Sequence, residues 1–232
     1  PAAHKQKPHP GQIRIADCVY STLADSKLVV EDSEVENWLR KMSRDEPQGL
    51  DEQIEDAYSI RAMPQIMGPV VDTTLFAQQT IEIELNSSND NPLVVVEEGD
   101  AVHNANFHGQ YISNAMDQLA IVLVNMCNLS DRRNNRLLHP NLNGDLPPFL
   151  VKEDPGKRQG LMGGQFMATS LTAEIRQMSN PMSIQSLPST GDFQDHVSFG
   201  LNAARRTRDI HRNACYILAY ELICACHAAD IR

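Results

Sequence analysis

The chain has 232 residues, 30 acidic against 20 basic, for a formal net charge of −10. That length can bury a substantial core, as one large domain or a lobe of one, and the acidic balance argues against nucleic acid or an anionic membrane as partner. Five cysteines without a disulfide-framework spacing, no signal peptide and no apolar run of spanning length are read as marks of a reducing, cytoplasmic setting.

In chain order, residues 1–12 are rich in Pro and His and read as an extended entry segment. A short helix is expected from Gln12 to Ala24, with Ile13, Ala16, Val19, Tyr20 and Leu23 along one side. Residues 43–56 are acidic and polar and read as an exposed, flexible loop. A helix is expected from Asp56 to Asn86, disturbed near Pro64 and restarted after Pro69. The Asn/Asp/Pro cluster at 86–92 marks a turn, and Leu93–Val96 a short strand.

The clearest helix is expected over Ser113–Leu138, where Met116, Leu119, Ala120, Leu123, Met126, Cys127 and Leu129 follow a helical stripe. Further apolar groups around that stripe imply burial on most sides, as at the centre of a bundle. Pro140 and the Gly144–Pro148 stretch break it. A second apolar helix is expected over Gly160–Met178 and a third from about Asp195 past Ala229, separated by a Ser/Pro/Gly-rich return loop, Ser179–Phe193. Long helices with short breaks and little strand predict an all-α long-helix bundle, with 1–232 as a single helical core portion.

Chemistry concentrates first in Asp56-Ala57-Tyr58-Ser59-Ile60-Arg61. A phenol and a guanidinium three positions apart share one helical face and can address one small ligand. Tyr58 can give or take a proton, and Arg61 can grip a carboxylate through two parallel hydrogen bonds. That pair suits an amino acid, although on the hexapeptide alone a structural ion pair of Arg61 with Asp56 or Glu55 is the simpler account.

Three further stretches change the context: Glu84-Leu85-Asn86-Ser87-Ser88-Asn89-Asp90-Asn91-Pro92-Leu93, Asn104-Ala105-Asn106-Phe107-His108-Gly109-Gln110, and Pro188-Ser189-Thr190-Gly191-Asp192-Phe193-Gln194-Asp195. In this order and at these separations the chain resembles the aromatic amino acid ammonia-lyase and 2,3-aminomutase family, from Lys7–Gln12 to Glu221–Arg232. Thr190–Asp195 and Leu161–Met167 are most similar to bacterial phenylalanine aminomutases.

The resemblance implies the helical fold of that family (L-aspartase/fumarase-like), an aromatic amino acid as substrate, and a homotetramer whose sites draw on several chains. It implies an electrophilic 4-methylidene-imidazol-5-one ring (MIO) made from an Ala-Ser-Gly segment. The sequence contains neither Ala-Ser-Gly nor Thr-Ser-Gly, so the chain is expected to be a middle-to-C-terminal portion of a longer enzyme, inactive alone. By resemblance, Tyr58 is the catalytic residue that handles the substrate amine or assists the electrophile, Arg61 the carboxylate clamp, and Phe107, Phe193 and Gln194 the substrate-binding wall. Ordinary core packing remains open for Phe107.

Gln194 stands where histidine ammonia-lyases carry Glu, and an amide cannot take a proton from an imidazole. Glu55, where those enzymes have Gln, also counts against histidine. Phe193 replaces the Asn of several plant-type enzymes and places an apolar ring beside the clamp. The resulting expectation is an aromatic amino acid 2,3-aminomutase acting on L-phenylalanine or L-tyrosine through an arylacrylate. An ammonia-lyase that releases the arylacrylate and a non-catalytic assembly core are the alternatives.

His211, Cys215, Cys224, Cys226 and His227 invite a zinc reading. Positions two apart on a helix lie about 200° apart, so Cys224 and Cys226 cannot share a tetrahedral site, and no metal is assigned. These side chains read instead as small buried helix residues. The basic clusters 131–136 and 205–208 read as helix-surface charge or salt bridges.

Overall fold

The computed structural model describes residues 2–27, 29, 56–154 and 156–232, so all of the loop expected at 43–56 except Asp56 lies outside the described residues. The chain forms two compact units, Pro1–Gly68 and Pro69–Arg232.

The first unit holds α1 (Ala2–Lys5), α2 (Pro10–Leu23) and α3 (Tyr58–Arg61). Pro10 opens α2, a place where a missing N–H costs nothing because the first turn has no intrahelical partner. Gly11 and Gln12 are the buried residues of α2. Gln12 Nε2 lies 3.0 Å from His4 Nδ1, and a Cβ on Gly68 would come within 2.6 Å of the Gln12 nitrogen. The apolar side expected for α2 is only partly covered, since Tyr20 and Leu23 are exposed.

The helix expected from Asp56 breaks at Ala62 (φ −92°, ψ 10°), and α4 then runs over Met63–Leu85. The restart expected after Pro69 therefore falls before Pro64. Pro64 occupies the first turn of α4, where its ring is tolerated, and Pro69 is accommodated inside the helix.

In the second unit a β-hairpin follows: β1 (Leu93–Val95) pairs antiparallel with β2 (Asp100–Val102), in the register Leu93↔Val102. β2 is a strand the sequence pattern did not reveal, because three residues are too few to display an alternation.

Three long helices build the core: α5 (Gln110–Leu138), α6 (Met162–Met178) and α7 (Gly200–Ile231). At about 1.5 Å per residue α5 and α7 are each more than 40 Å long. Near their starts Thr207 Oγ1 donates to the Met116 carbonyl at 2.9 Å and Arg206 pairs with Asp117 at 2.9 Å. Towards their ends Arg133 pairs with Glu221. Partners advance together along both helices, so α5 and α7 run parallel. Ties from α6 to α5 run in reverse order, Thr169 to Asp131 at 3.3 Å and Arg176 to Asn128 at 2.7 Å. Helix α6 is thus the antiparallel return.

Ala120, Leu123, Val124 and Cys127 meet Ile175 and Ile210, Ala214 and Ile217 between the three helices. Leu138, Leu150, Ala168, Tyr220, Cys224 and Ala228 form a second cluster, and Ala77, Ala115, Met116 and Ala203 seat α4. Helix α5 is covered on most sides: Tyr111, Asn114, Gln118, Ile121, Asn125 and Arg132 are its exposed positions. The fold is the all-α long-helix bundle read from the pattern.

Two expectations change. Helix α7 contains an 18-residue window of mean hydropathy 1.4, long and apolar enough to span a membrane by length and composition. Ion-paired Glu221 and core-packed Ile217, Tyr220 and Cys224 make it a bundle helix instead. Of the cysteines expected to be small buried helix residues, Cys224 is buried while Cys215 and Cys226 are exposed. His227, set beside them in the zinc reading, instead lies 2.9 Å from the Leu150 carbonyl.

Gly164 faces Tyr220, whose hydroxyl donates to the Leu161 carbonyl. A Cβ on Gly164 would fall 2.2 Å from the ring, whereas one on Gly163 would meet nothing within 4 Å. Gly164→Ala is expected to lower stability by about 2 kcal/mol through overpacking. Gly163→Ala is expected to leave stability unchanged or raise it by up to about 1 kcal/mol. Denaturant titration of both variants checks the opposed signs.

Burial, with the nearby Cys215 and Glu221, pushes the Cys127 thiol up to about 12. In the unfolded chain this thiol ionises near the ordinary cysteine value, so the folded state binds the proton more tightly. The stability that this difference contributes is fully present below about pH 8.5 and is lost as pH rises towards about 12. Iodoacetamide at pH 9 should label Cys18, Cys215 and Cys226 in the folded protein and reach Cys127 only after denaturation.

Candidate functional site

In the first unit Tyr58 and Arg61 are brought together. They occupy the two ends of α3, and the Arg61 guanidinium carbon lies 4.7 Å from the centre of the Tyr58 ring. A cation over a phenol face is held electrostatically. The Tyr58 side chain is open to solvent (70 %), as is Arg61. Ser59 between them is buried and turns the pair outward.

In the second unit Phe107, Phe193 and Gln194 lie on two loops that meet at the starts of α5 and α7. The Asn-rich motifs build the first loop. Asn104 N–H donates to Asn91 Oδ1 at 2.9 Å and Asn104 Nδ2 to the Asp90 carbonyl at 3.1 Å. Asn106 N–H donates to Asn104 Oδ1 at 2.7 Å. The β1–β2 hairpin brings these stretches side by side, and Phe107 follows directly, half exposed. The core packing left open for Phe107 is thus not what this unit provides.

The second loop is a tight turn. Ser189 N–H donates to the Gln194 carbonyl at 2.8 Å, and Gln194 N–H returns the bond at 3.2 Å. Between them Thr190, Gly191 and Asp192 all have positive φ, 55°, 64° and 62°. A β-branched threonine there is strained, at about 1–2 kcal/mol. The turn holds Phe193 outward at 87 % exposure and lets the Thr190 hydroxyl donate to Gln194 Oε1 at 3.2 Å.

His108 and His196 join the two loops, their rings stacked at 5.7 Å with a 16° tilt. Behind them a Cβ on Gly200 would lie 3.0 Å from the Gly109 carbonyl. The third helix expected from Asp195 begins instead at Gly200, because Phe199 adopts a left-handed conformation (φ 51°). Residues 195–199 thereby remain loop and deliver His196 to His108. The two histidines, Asn91 and Asn104 are positioning residues that motif reading passed over. Their signal was present, since Asn91, Asn104 and His108 lie inside the quoted motifs and His196 directly follows the third.

Among the described residues no group of three or more His, Cys, Asp or Glu is placed to hold a metal ion. Cys215 Sγ lies 3.9 Å from His211 Nε2 on an exposed face.

A family model described as aromatic amino acid lyase matches residues 1–232. A tyrosine ammonia-lyase of Cupriavidus metallidurans is 46 % identical over 226 residues, 97 % of this chain and 42 % of the relative. An MIO-dependent tyrosine 2,3-aminomutase of Streptomyces globisporus is 44 % identical over 230 residues, 97 % of this chain and 42 % of the relative. The solved structure of Pantoea agglomerans phenylalanine aminomutase superposes with a TM-score of 0.92 at 54 % identity, covering 100 % of this chain and 45 % of that one. The chain thus spans less than half the length of these relatives.

Gly191→Ala isolates the backbone contribution of the turn, since its Cβ would meet nothing within 4 Å. A cost of about 1 kcal/mol is expected, from the left-handed backbone alone. Urea titration with an unchanged m-value would verify it.

Proposed function

The chain belongs to the aromatic amino acid lyase family, and from that premise we propose that it is part of an aromatic amino acid 2,3-aminomutase of the phenylalanine type. The likeness to a phenylalanine aminomutase along the whole chain carries this reading. The identity to a tyrosine ammonia-lyase makes ammonia elimination without re-addition the second reading. The whole protein acts in the cytoplasm, consistent with five cysteines that are all free thiols.

The family's MIO ring supplies an electrophile for the substrate amine. With neither Ala-Ser-Gly nor Thr-Ser-Gly in these 232 residues, the ring is not made from this chain's own backbone, and these residues are assigned binding, orienting and proton-handling roles. Arg61 takes the substrate carboxylate through its fork, which fixes the plane of the reacting carbons. Tyr58, held by the cation stack, stands beside it as the proton-handling group for the amine. Phe107 and Phe193 supply apolar walls for an aryl ring. Gln194 is a neutral amide there and disfavours an imidazole substrate.

The sites are shared among the subunits of a homotetramer. Support comes from α7, where Leu201, Tyr216, Leu222 and Ile223 are exposed although the helix belongs to a core, an apolar surface suited to subunit packing.

The test is to incubate the full-length protein with phenylalanine, tyrosine and histidine and to separate the products by chromatography. A β-amino acid from phenylalanine is the expected product, and arylacrylate alone would reject the mutase. Arg61→Lys keeps the charge but loses the planar fork. It should raise KM for the aromatic amino acid by about 10–100-fold, and an unchanged KM would remove Arg61 from the site.

A further inference from the structure

Asp117 lies on α5 among the core residues, 4 % exposed. Its carboxylate is divided between two partners. Oδ2 accepts the Ser183 backbone N–H at 2.7 Å, and Oδ1 accepts Arg206 Nη2 at 2.9 Å. The Ser183 carbonyl accepts Gln110 Nε2 at 3.4 Å, so α5 grips this one residue of the return segment by both its N–H and its carbonyl. Further along, Ser186 Oγ accepts the Val197 N–H at 2.8 Å, folding the segment onto itself, and His196 then stacks on His108. Phe193 and Gln194 sit within the stretch these ties enclose.

We infer that Asp117 is a positioning residue for turnover of the aromatic amino acid, setting where the wall of Phe193 and Gln194 stands without touching substrate. The inference rests on the proposed function, since it assumes that wall faces the substrate. The chemistry of the anchor calls for a carboxylate. A buried acceptor between an N–H and a guanidinium must satisfy a donor and balance a cation at once. Asparagine can still accept the Ser183 N–H but cannot balance Arg206, and alanine does neither. The segment carries no helix from Ser179 to Phe199, so its position depends on such point ties.

The experiment compares Asp117→Ala, Asp117→Asn and Gln194→Ala in the full-length enzyme. It reads KM and kcat for phenylalanine and hydrogen exchange of peptides covering 183–198 and of helices α5 and α7. Asp117→Ala should speed exchange across 183–198 by about tenfold or more while most of α7 keeps its protection. KM should rise by about tenfold with kcat changed by less than about threefold, and Asp117→Asn, which keeps the acceptor for Ser183 but not the countercharge to Arg206, should fall between the native enzyme and Asp117→Ala on both readouts. Exchange that rises equally in α5, α7 and the segment, with kcat and KM tracking the folded fraction, would make Asp117 merely structural and overturn the inference. Unchanged exchange in 183–198 would do the same. A KM shift in Gln194→Ala with none in Asp117→Ala rejects the anchor and leaves the pocket standing. No KM shift in Gln194→Ala rejects the pocket reading, and the anchor's role in turnover falls with it.

Discussion

The arrangement depends on the register between α5 and α7. Two helices more than 40 Å long could slide past one another by a turn and still bury apolar side chains, because small and aliphatic residues recur along both. Polar ties remove that freedom. Thr207 bonds the Met116 carbonyl, Arg206 pairs with Asp117, and Arg133 pairs with Glu221 a little over four turns on. The side chains of Asp117 and Arg206 are only 5 % and 17 % exposed. Slipping by a turn would strand a buried carboxylate and a guanidinium, a loss of about 3–5 kcal/mol, a large share of the roughly 5–15 kcal/mol by which a domain is stable. Hydrophobic burial holds the helices together, and the buried charges choose the register.

That register decides where the loops meet. Parallel neighbours cannot be joined by a short turn, so the chain must travel back along α6 and then cross again to start α7. The crossing ends beside the start of α5, which puts the loop carrying Phe107 next to the one carrying Phe193 and Gln194. The histidine stack and the tight Gly109–Gly200 approach follow from this geometry. Had α7 run antiparallel to α5, its start would lie at the far end of α5 and the two loops would not meet.

Much of this was legible in the sequence. Helical periodicity with Pro and Gly breaks located α5 and α6 to within three residues, since apolar spacing reports the buried face directly. The errors have local causes. The start of α7 was set too early because Val197 and Phe199 extend an apolar run, while the left-handed backbone at Phe199 has no signature in a residue type that usually avoids it. The break before α4 fell at Ala62, a good helix former, because tertiary context outweighed propensity there. The strain at Thr190 was hidden for the same reason, although Gly191 and Asp192 marked the turn. The partners of Asp117, Thr207 and Glu221 could not be read from the sequence at all. They are separated by 66 to 91 residues, and nothing in local patterning links a carboxylate to a guanidinium that far along the chain.

The balance of buried and exposed apolar groups is explained by the width of the core. A three-helix unit presents each helix to at most two neighbours, and a helix buries roughly the stripe that faces them. Helix α5 is covered by α6 and α7, with α4 added near its start, where Ala77 meets Ala115, Met116 and Ala203; α7 keeps an exposed side. Its inner face carries Ile210, Ile217, Tyr220 and Cys224, while Leu201, Tyr216, Leu222 and Ile223 remain on the outside. Leaving four such residues in water forgoes about 1.5–3 kcal/mol each relative to burial. Neither charge nor glycine relieves that face between Tyr216 and Ile223 apart from Glu221, which is turned inward to Arg133. Between Tyr216 and Ile223 the one charge points in and apolar side chains point out, whereas Arg205, Arg208 and Arg212 earlier in α7 face solvent. Helix packing in this chain thus specifies the inner face of α7 by buried charge and aliphatic contact, and leaves apolar side chains on its outer face.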